Sequence, residues 1–280
     1  MKWADQEKQR KKLRSKLRAI ITQALNNDDG FARLRGLSDE EWQAAQKKDD
    51  TEIGEQLEEP FPPGRDWHGL VDAMTNVQKM VHLAMRYDII DQERIRGELL
   101  RARRLAYEDE LNIQAANVGC AGRKARLGNG PILSALNGMS ERDAASIVNT
   151  YNYDLAIAIR NISIEVPRAN RYTYAARLRT WEAARSKWKT PQIEQFTELT
   201  ARSLAQVDFY KYNGELMGIA RLEPRSAVCP ICQGWIDRGG VPVRVAINKP
   251  PPYHVRCPHA WNITPKRVPR SECPFLWMGE

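Results

Sequence analysis

Long apolar runs are missing from this chain of 280 residues. No stretch approaches the roughly 18 residues that a helix needs to cross a bilayer, so a helical membrane span is not expected. The stretch M-K-W-A-D-Q-E-K-Q-R at the start lacks the apolar centre of a secretory leader, and a reducing compartment is the expectation. Cysteine is scarce and odd in number, at five residues, which argues against a disulfide framework. Histidine is scarcer, at four, and His68 and His82 each stand alone on helical pattern, where a packed or surface role is the ordinary one. The glycine-rich run over residues 117–131 has no preceding strand and no G-K-[ST] ending, so it is a crossing and not a phosphate cradle. No nucleophile or acid/base constellation stands out on the helical segments, and an enzyme is not expected.

Charge and helical periodicity are what the chain has in quantity. Charged residues make up 28% and hydrophobic ones 42%, the balance of a globular protein. The formal net charge of +8 and pI of about 9.3 suit a polyanion or an acidic protein surface as neighbour, against the plainer reading of a solvated lysine-rich surface. Residues 7–26 place Leu13, Leu17, Ile20, Ile21 and Leu25 at helical spacing with Lys and Arg between them, a basic amphipathic helix. No aromatic residue interleaves the basic ones after Trp3, which favours a helix docked on the body with a wet basic face. Ser38 and Glu41 form a capping box that opens a helix carrying Trp42. Residues 39–59 are acidic, and the proline-rich run 59–64 reads as a stiff linker.

From Trp67 to about Ala116 the apolar spacing is helical again. Ser140 with Asp143 predicts the start of a helix whose apolar stripe ends before Pro167. Residues 169–188 predict another, and Pro191 the start of a third, closed by Asn213 and Gly214. Beyond Gly214 prolines become dense, and Val241 to Ile247 alternates like a short edge strand. The expected architecture is therefore mainly α, a helical body with a small C-terminal α+β zinc-knuckle module. Its divisions are a basic then acidic helical arm with a Pro-rich linker (1–64), a helical body (65–217) and a zinc-binding module (218–280).

The chemistry concentrates between Cys229 and Asn262. Cys229 and Cys232 stand in C-P-I-C, and His254 and Cys257 repeat that two-residue gap about twenty residues later, the arrangement by which two short knuckles grip one tetrahedral Zn²⁺. His259 is a further candidate, either as replacement ligand or as a hydrogen-bonding neighbour of the ligands. Cys120 and Cys273 are most simply free thiols. A closed four-ligand site leaves no open position for a substrate, so the expected zinc is structural.

The order C-x-x-C-x-G, a basic strand and P-P-x-H-x-x-C, directly after a helix ending in an aromatic-rich turn and glycine, resembles the head-morphogenesis (Mu F-like) minor capsid proteins of tailed bacteriophages. The helix from Thr197 to Ser203, running on through Phe209, Tyr210, Tyr212 and Gly214, is similar to that family's A-R-T-E element. Asn149 to Leu155 and the helix from Ala169 to Lys189 agree with the same body, so the resemblance covers roughly residues 140–265. The chain departs from the family pattern at Gln233 to Asp237, where a dipeptide such as aspartate-glycine is usual, and at Cys257-Pro258-His259, where His259 takes the place of a second cysteine. The resemblance implies a low-copy virion protein, present in several copies in a large assembly and made in the host cytoplasm. Portal or major capsid protein would be its partners, with packaged DNA as a further one and no membrane. Two alternatives accompany it. An HNH-type nuclease would use His254, His259 and Asn262 beside a divalent metal. A zinc-finger DNA binder would need a reading helix after the second ligand pair, where Pro258 and Pro265 stand.

Overall fold

The computed structural model describes residues 3–47, 69–70, 73–86, 89–118, 127, 130–212, 218–222, 229–252, 259 and 261–265. They are mainly helical, with a small antiparallel sheet near the C-terminal end. In chain order the elements are α1 (Trp3–Ala24), α2 (Asp28–Gly36), α3 (Asp39–Lys47), α4 (Asn76–Met85), α5 (Ile89–Asn117), α6 (Pro131–Glu165) and α7 (Arg171–Tyr212). After them come β1 (Gly218–Arg221), α8 (Pro230–Asp237), β2 (Val241–Pro242), α9 (Val243–Ala246) and β3 (Asn262–Pro265). Among the described residues, no helix is long and apolar enough to cross a membrane.

Local chemistry sets the helix starts. The predicted box at α3 is formed, with Glu41 N–H donating to Ser38 Oγ at 3.1 Å and Ser38 N–H to Glu41 Oε2 at 2.6 Å. These bonds from Ser38 hold the Glu41 carboxyl below its usual range. A second box, Thr75 with Gln78, starts α4. Asn27 caps α2, and Asn170 accepts from Thr173 N–H at 2.9 Å at the start of α7.

The chain divides into two compact units. Unit 1 comprises Met1–Gln23, Gly97–Ser140 and Lys189–Glu280; unit 2 comprises Ala24–Arg96 and Glu141–Trp188. In unit 1 the core runs from Leu17 of α1 through Ala102, Ala106, Tyr107 and Leu111 of α5 to Ala201, Ala205 and Phe209 of α7. It continues without a break into Ala220, Trp235, Val241, Val243, Ala246, Trp261 and Ile263. In unit 2, Asn27 is 3% exposed, and its amide donates to the Met85 carbonyl and to Tyr151 Oη at 2.9 Å. Trp42 packs on Tyr174 and Tyr151 on Trp181, with ring centres 6.0 and 5.8 Å apart. His82 is buried and donates from Nε2 to the Asn152 carbonyl at 2.9 Å. Burial, opposed by that bond and aided by Arg86, lowers its pKa to about 4, so the ring packs as a neutral group.

The sheet has the order β2-β1-β3, with both pairings antiparallel. Ala220 faces Val241 on one side and Ile263 on the other, and all three are buried, a single inward row. Ile219, one step along β1, turns outward and is 48% exposed. Gly239, at φ +68°, makes the turn between α8 and β2.

Three predicted boundaries differ from the structure. The helix expected from Ser140 begins instead at Pro131, because that proline is pre-set for a first helical turn. Ser140 lies inside α6, where its hydroxyl bonds the Leu136 carbonyl and accepts from Arg103 Nη1, each at 2.8 Å. The two helices expected on either side of Pro191 are one, α7, with the proline inside it. Burial of Tyr174, Ala175 and Leu178 before it and of Leu199, Ala201, Ala205 and Phe209 after it offsets the roughly 3 kcal/mol that an interior proline costs. The strand expected over Val241 to Ile247 stops at Pro242, whose missing N–H ends the ladder; Val243 and Ala246 are then buried at helical spacing. Strands β1 and β3, four residues each, were not expected. The linker at 59–64 and the stop at Asn213 and Gly214 lie outside the described residues.

Candidate metal centre

The stretch that bears the cysteines leaves the sheet at β1 and returns to it at β3, so the pairing of Arg221 with Asn262 holds both ends of it together. Pro230 supplies the first residue of α8, and Cys229 is its N-cap. Cys229 Sγ accepts from the Cys232 backbone N–H at 3.4 Å. That N–H lowers the Cys229 thiol from its usual pKa, against a smaller opposing effect of burial. Both cysteines thus belong to the first turn of one helix, where free N–H groups and the helix dipole favour thiolate. Cys232 is fully buried, and His259 is 2% exposed, two residues before the core residue Trp261.

The donor chemistry fits a thiophilic ion: one sulfur is already turned toward its anionic form by a backbone donor, and its partner sits one turn along the same rigid element. His254 and Cys257 lie outside the described residues, as do Cys120 and Cys273. Among the described residues, no three His, Cys, Asp or Glu side chains gather into a metal-holding group. Cys229, Cys232 and His259 are therefore the sequence-predicted ligands whose surroundings are seen.

The described residues of the C-terminal segment share the core of unit 1, and Trp261 links them to α7. Trp235 of α8 meets Trp261 edge-on, with ring centres 5.5 Å apart and planes at 82°. Trp261 Nε1 donates to the Lys249 carbonyl at 3.2 Å, and its own carbonyl accepts from Gln206 Nε2 of α7 at 3.0 Å. The Arg238 guanidinium lies over the Trp235 ring at 4.7 Å. An open groove of about 520 Å³ runs beside these groups, lined by Ile231, Gly234, Trp235, Arg238 and Lys249 among others.

Gln206 belongs to a buried ionic network that sequence reasoning did not find. Arg202 is 4% exposed and donates to Glu198 Oε1 at 2.8 Å, Glu110 Oε2 at 2.7 Å and Asp109 Oδ2 at 2.8 Å. Glu110 Oε1 also accepts from Gln114 at 2.6 Å and from Gln206 at 2.8 Å. Tyr210 Oη donates to Gln114 Oε1 at 3.0 Å. Arg14 and Arg18 of α1 reach the remaining oxygens of α7, Arg14 to Glu198 at 3.1 Å and Arg18 to Glu194 at 2.8 Å. Burial alone would push the Glu110 carboxyl up, but the charges of Arg202 and Arg10 and the bonds from Gln114 and Arg202 bring it below the usual carboxylate range. Burial dominates at Asp109, whose carboxyl is raised in spite of Arg202. Burial also works against the charge of Arg202, but the carboxylates of Glu110, Glu198 and Asp109 outweigh it and hold the guanidinium protonated. The signal was the four-residue spacing of Glu194, Glu198, Arg202 and Gln206 on the side of α7 that also carries the buried Ala201, Ala205 and Phe209. The chain matches no known protein family, no curated protein and no solved structure.

Proposed function

We propose that this chain is a structural minor capsid protein of the phage head-morphogenesis type, whose C-terminal module is stapled by zinc to a helical body. It would stand at the portal or inner head and assist head assembly and the packaging or delivery of DNA. The reading rests on the resemblance over residues 140–265. The observation that carries it is the seating of the cysteine-bearing module on α7. The helix with the family-like Thr197 to Ser203 motif also supplies Gln206, which bonds the Trp261 carbonyl beyond the cysteines. Motif helix and module are thus one packed body in unit 1.

Bound zinc would act as a cross-link, tying Cys229 and Cys232 to two of His254, Cys257 and His259. A nuclease reading is disfavoured by the burial of His259, which is poorly placed to activate water against a polymer. A base-reading finger is disfavoured because the segment after the second candidate pair forms β3 and pairs with β1.

The test is the composition and structure of phage heads assembled with and without this chain. Low-copy density at the portal or inner shell, and incomplete or undelivered heads when it is deleted, are expected. Complete infectious heads without it, or plasmid cleavage by the purified chain with Mg²⁺ that His259→Ala abolishes, would overturn the reading.

A further inference from the structure

The cations of α1 divide by face. Leu13, Leu17, Ile20 and Ile21 turn inward, and Arg14 and Arg18 flank them, each committed to a buried carboxylate of α7. Lys8, Lys11, Lys12 and Lys16 stand at i, i+3, i+4 and i+8 on the outward face and are all exposed. Among the described residues none of the four has an acidic partner, whereas both neighbouring arginines do. Ser15, Ala19 and Thr22, all exposed, stand on the same face.

We propose that this lysine face binds the phosphate backbone of double-stranded nucleic acid without reading its sequence. Lys8 to Lys16 spans about 12 Å of helix. Duplex DNA presents a phosphate about every 3.4 Å along each strand, so the row passes three or four of them. An acidic protein partner fits less well, since protein interfaces deplete lysine at their centres and favour aromatic, Met and Arg anchors, none of which stands on this face. Single strands fit less well too, because the face has no aromatic ring for a base to stack on.

The inference deepens the proposed role beside packaged DNA but is tested apart from it, on the purified full-length chain and a fluorescent 30-base-pair duplex of arbitrary sequence. Salt-dependent binding is expected, with a slope of log K against log salt near −3 to −4 from these contacts, or about a hundredfold loss of affinity between 50 and 200 mM. Replacing Lys8, Lys11, Lys12 and Lys16 together by Gln should lower the slope by about that amount and leave the circular dichroism spectrum unchanged. Neutralising the exposed Arg142, Arg160, Arg168 and Lys187 in the same way should change the slope by less than one. The inference fails if the lysine variant binds like wild type, if both variants weaken equally, or if polyglutamate competes as well as duplex. Those failures would leave the portal placement standing, because heads can be examined independently of DNA affinity.

Discussion

Replacing Arg202 by methionine takes away the guanidinium that Glu110, Glu198 and Asp109 share. Methionine fills most of the volume, so the effect is one of charge and not of a cavity. Glu110 and Glu198 side chains are 1% and 3% exposed, and breaking a buried pair from one side costs about 3–5 kcal/mol. Arg14 still faces Glu198, and the charge of Arg10 still acts on Glu110, which sets the expectation near the lower end, about 3 kcal/mol. With an m-value of about 3 kcal/mol/M, the urea midpoint should fall by about 1 M. The pH dependence carries a sign. In wild type the Glu110 carboxyl is held below its unfolded value, so its contribution is present above pH 4.5 and is lost as pH falls through the folded value. Without the guanidinium, burial prevails and the carboxyl rises above its unfolded value, so protonation relieves the variant. The penalty should therefore shrink between pH 7 and pH 4, and Glu110→Gln added to Arg202→Met should recover part of it at pH 7. A penalty below 1 kcal/mol at pH 7, or one that is the same at pH 4, would refute the reasoning.

Two further predictions concern unit 2. His82, at about 4 in the folded chain against 6.5 unfolded, contributes stability that is full above pH 6.5 and lost as pH falls to 4, about 3 kcal/mol in all. Glu182 acts in the opposite sense, because burial raises its carboxyl from 4.5 to about 7 and stability falls as pH rises through that window. The difference between wild type and His82→Gln isolates the histidine: denaturation at pH 4.5 and 7 should show the wild-type advantage growing with pH, and a constant difference would exclude a neutral buried ring. Gly30→Ala should destabilise by about 1–3 kcal/mol in spite of alanine's better helix propensity. The added Cβ would stand 2.6 Å from Asn27 Oδ1, and Asn27 is held by the Met85 carbonyl and Tyr151. A melting temperature at or above wild type would show that the cap can shift.

The parts legible in the sequence were those fixed by local chemistry. The Leu13, Leu17, Ile20, Ile21 stripe faces the core, and Ser38 and Glu41 cap the helix they predicted. At C-P-I-C only the two-residue gap between the cysteines was read, and not the helix that Pro230 opens and Cys229 caps. What was not legible depends on tertiary partners. Pro191 reads as a helix start by its own chemistry and lies within α7 because residues on both sides are buried. Ser140 reads as a cap and is drawn aside by Arg103. Each of β1 and β3 is too short for alternation to show and exists through its pairing. The Arg202 network was hidden because two of its three acids, Asp109 and Glu110, come from α5, about ninety residues earlier in the chain.

The central claim is that Cys229 and Cys232 hold a structural zinc ion with two of His254, Cys257 and His259. It is tested most directly by elemental analysis of the purified full-length chain, with Cys229→Ser and Cys232→Ser beside it. One zinc per wild-type chain is expected, almost none in either variant, and a loss of stability on chelation that the variants do not show. A metal-free wild-type chain, equally stable with and without chelator, would contradict it.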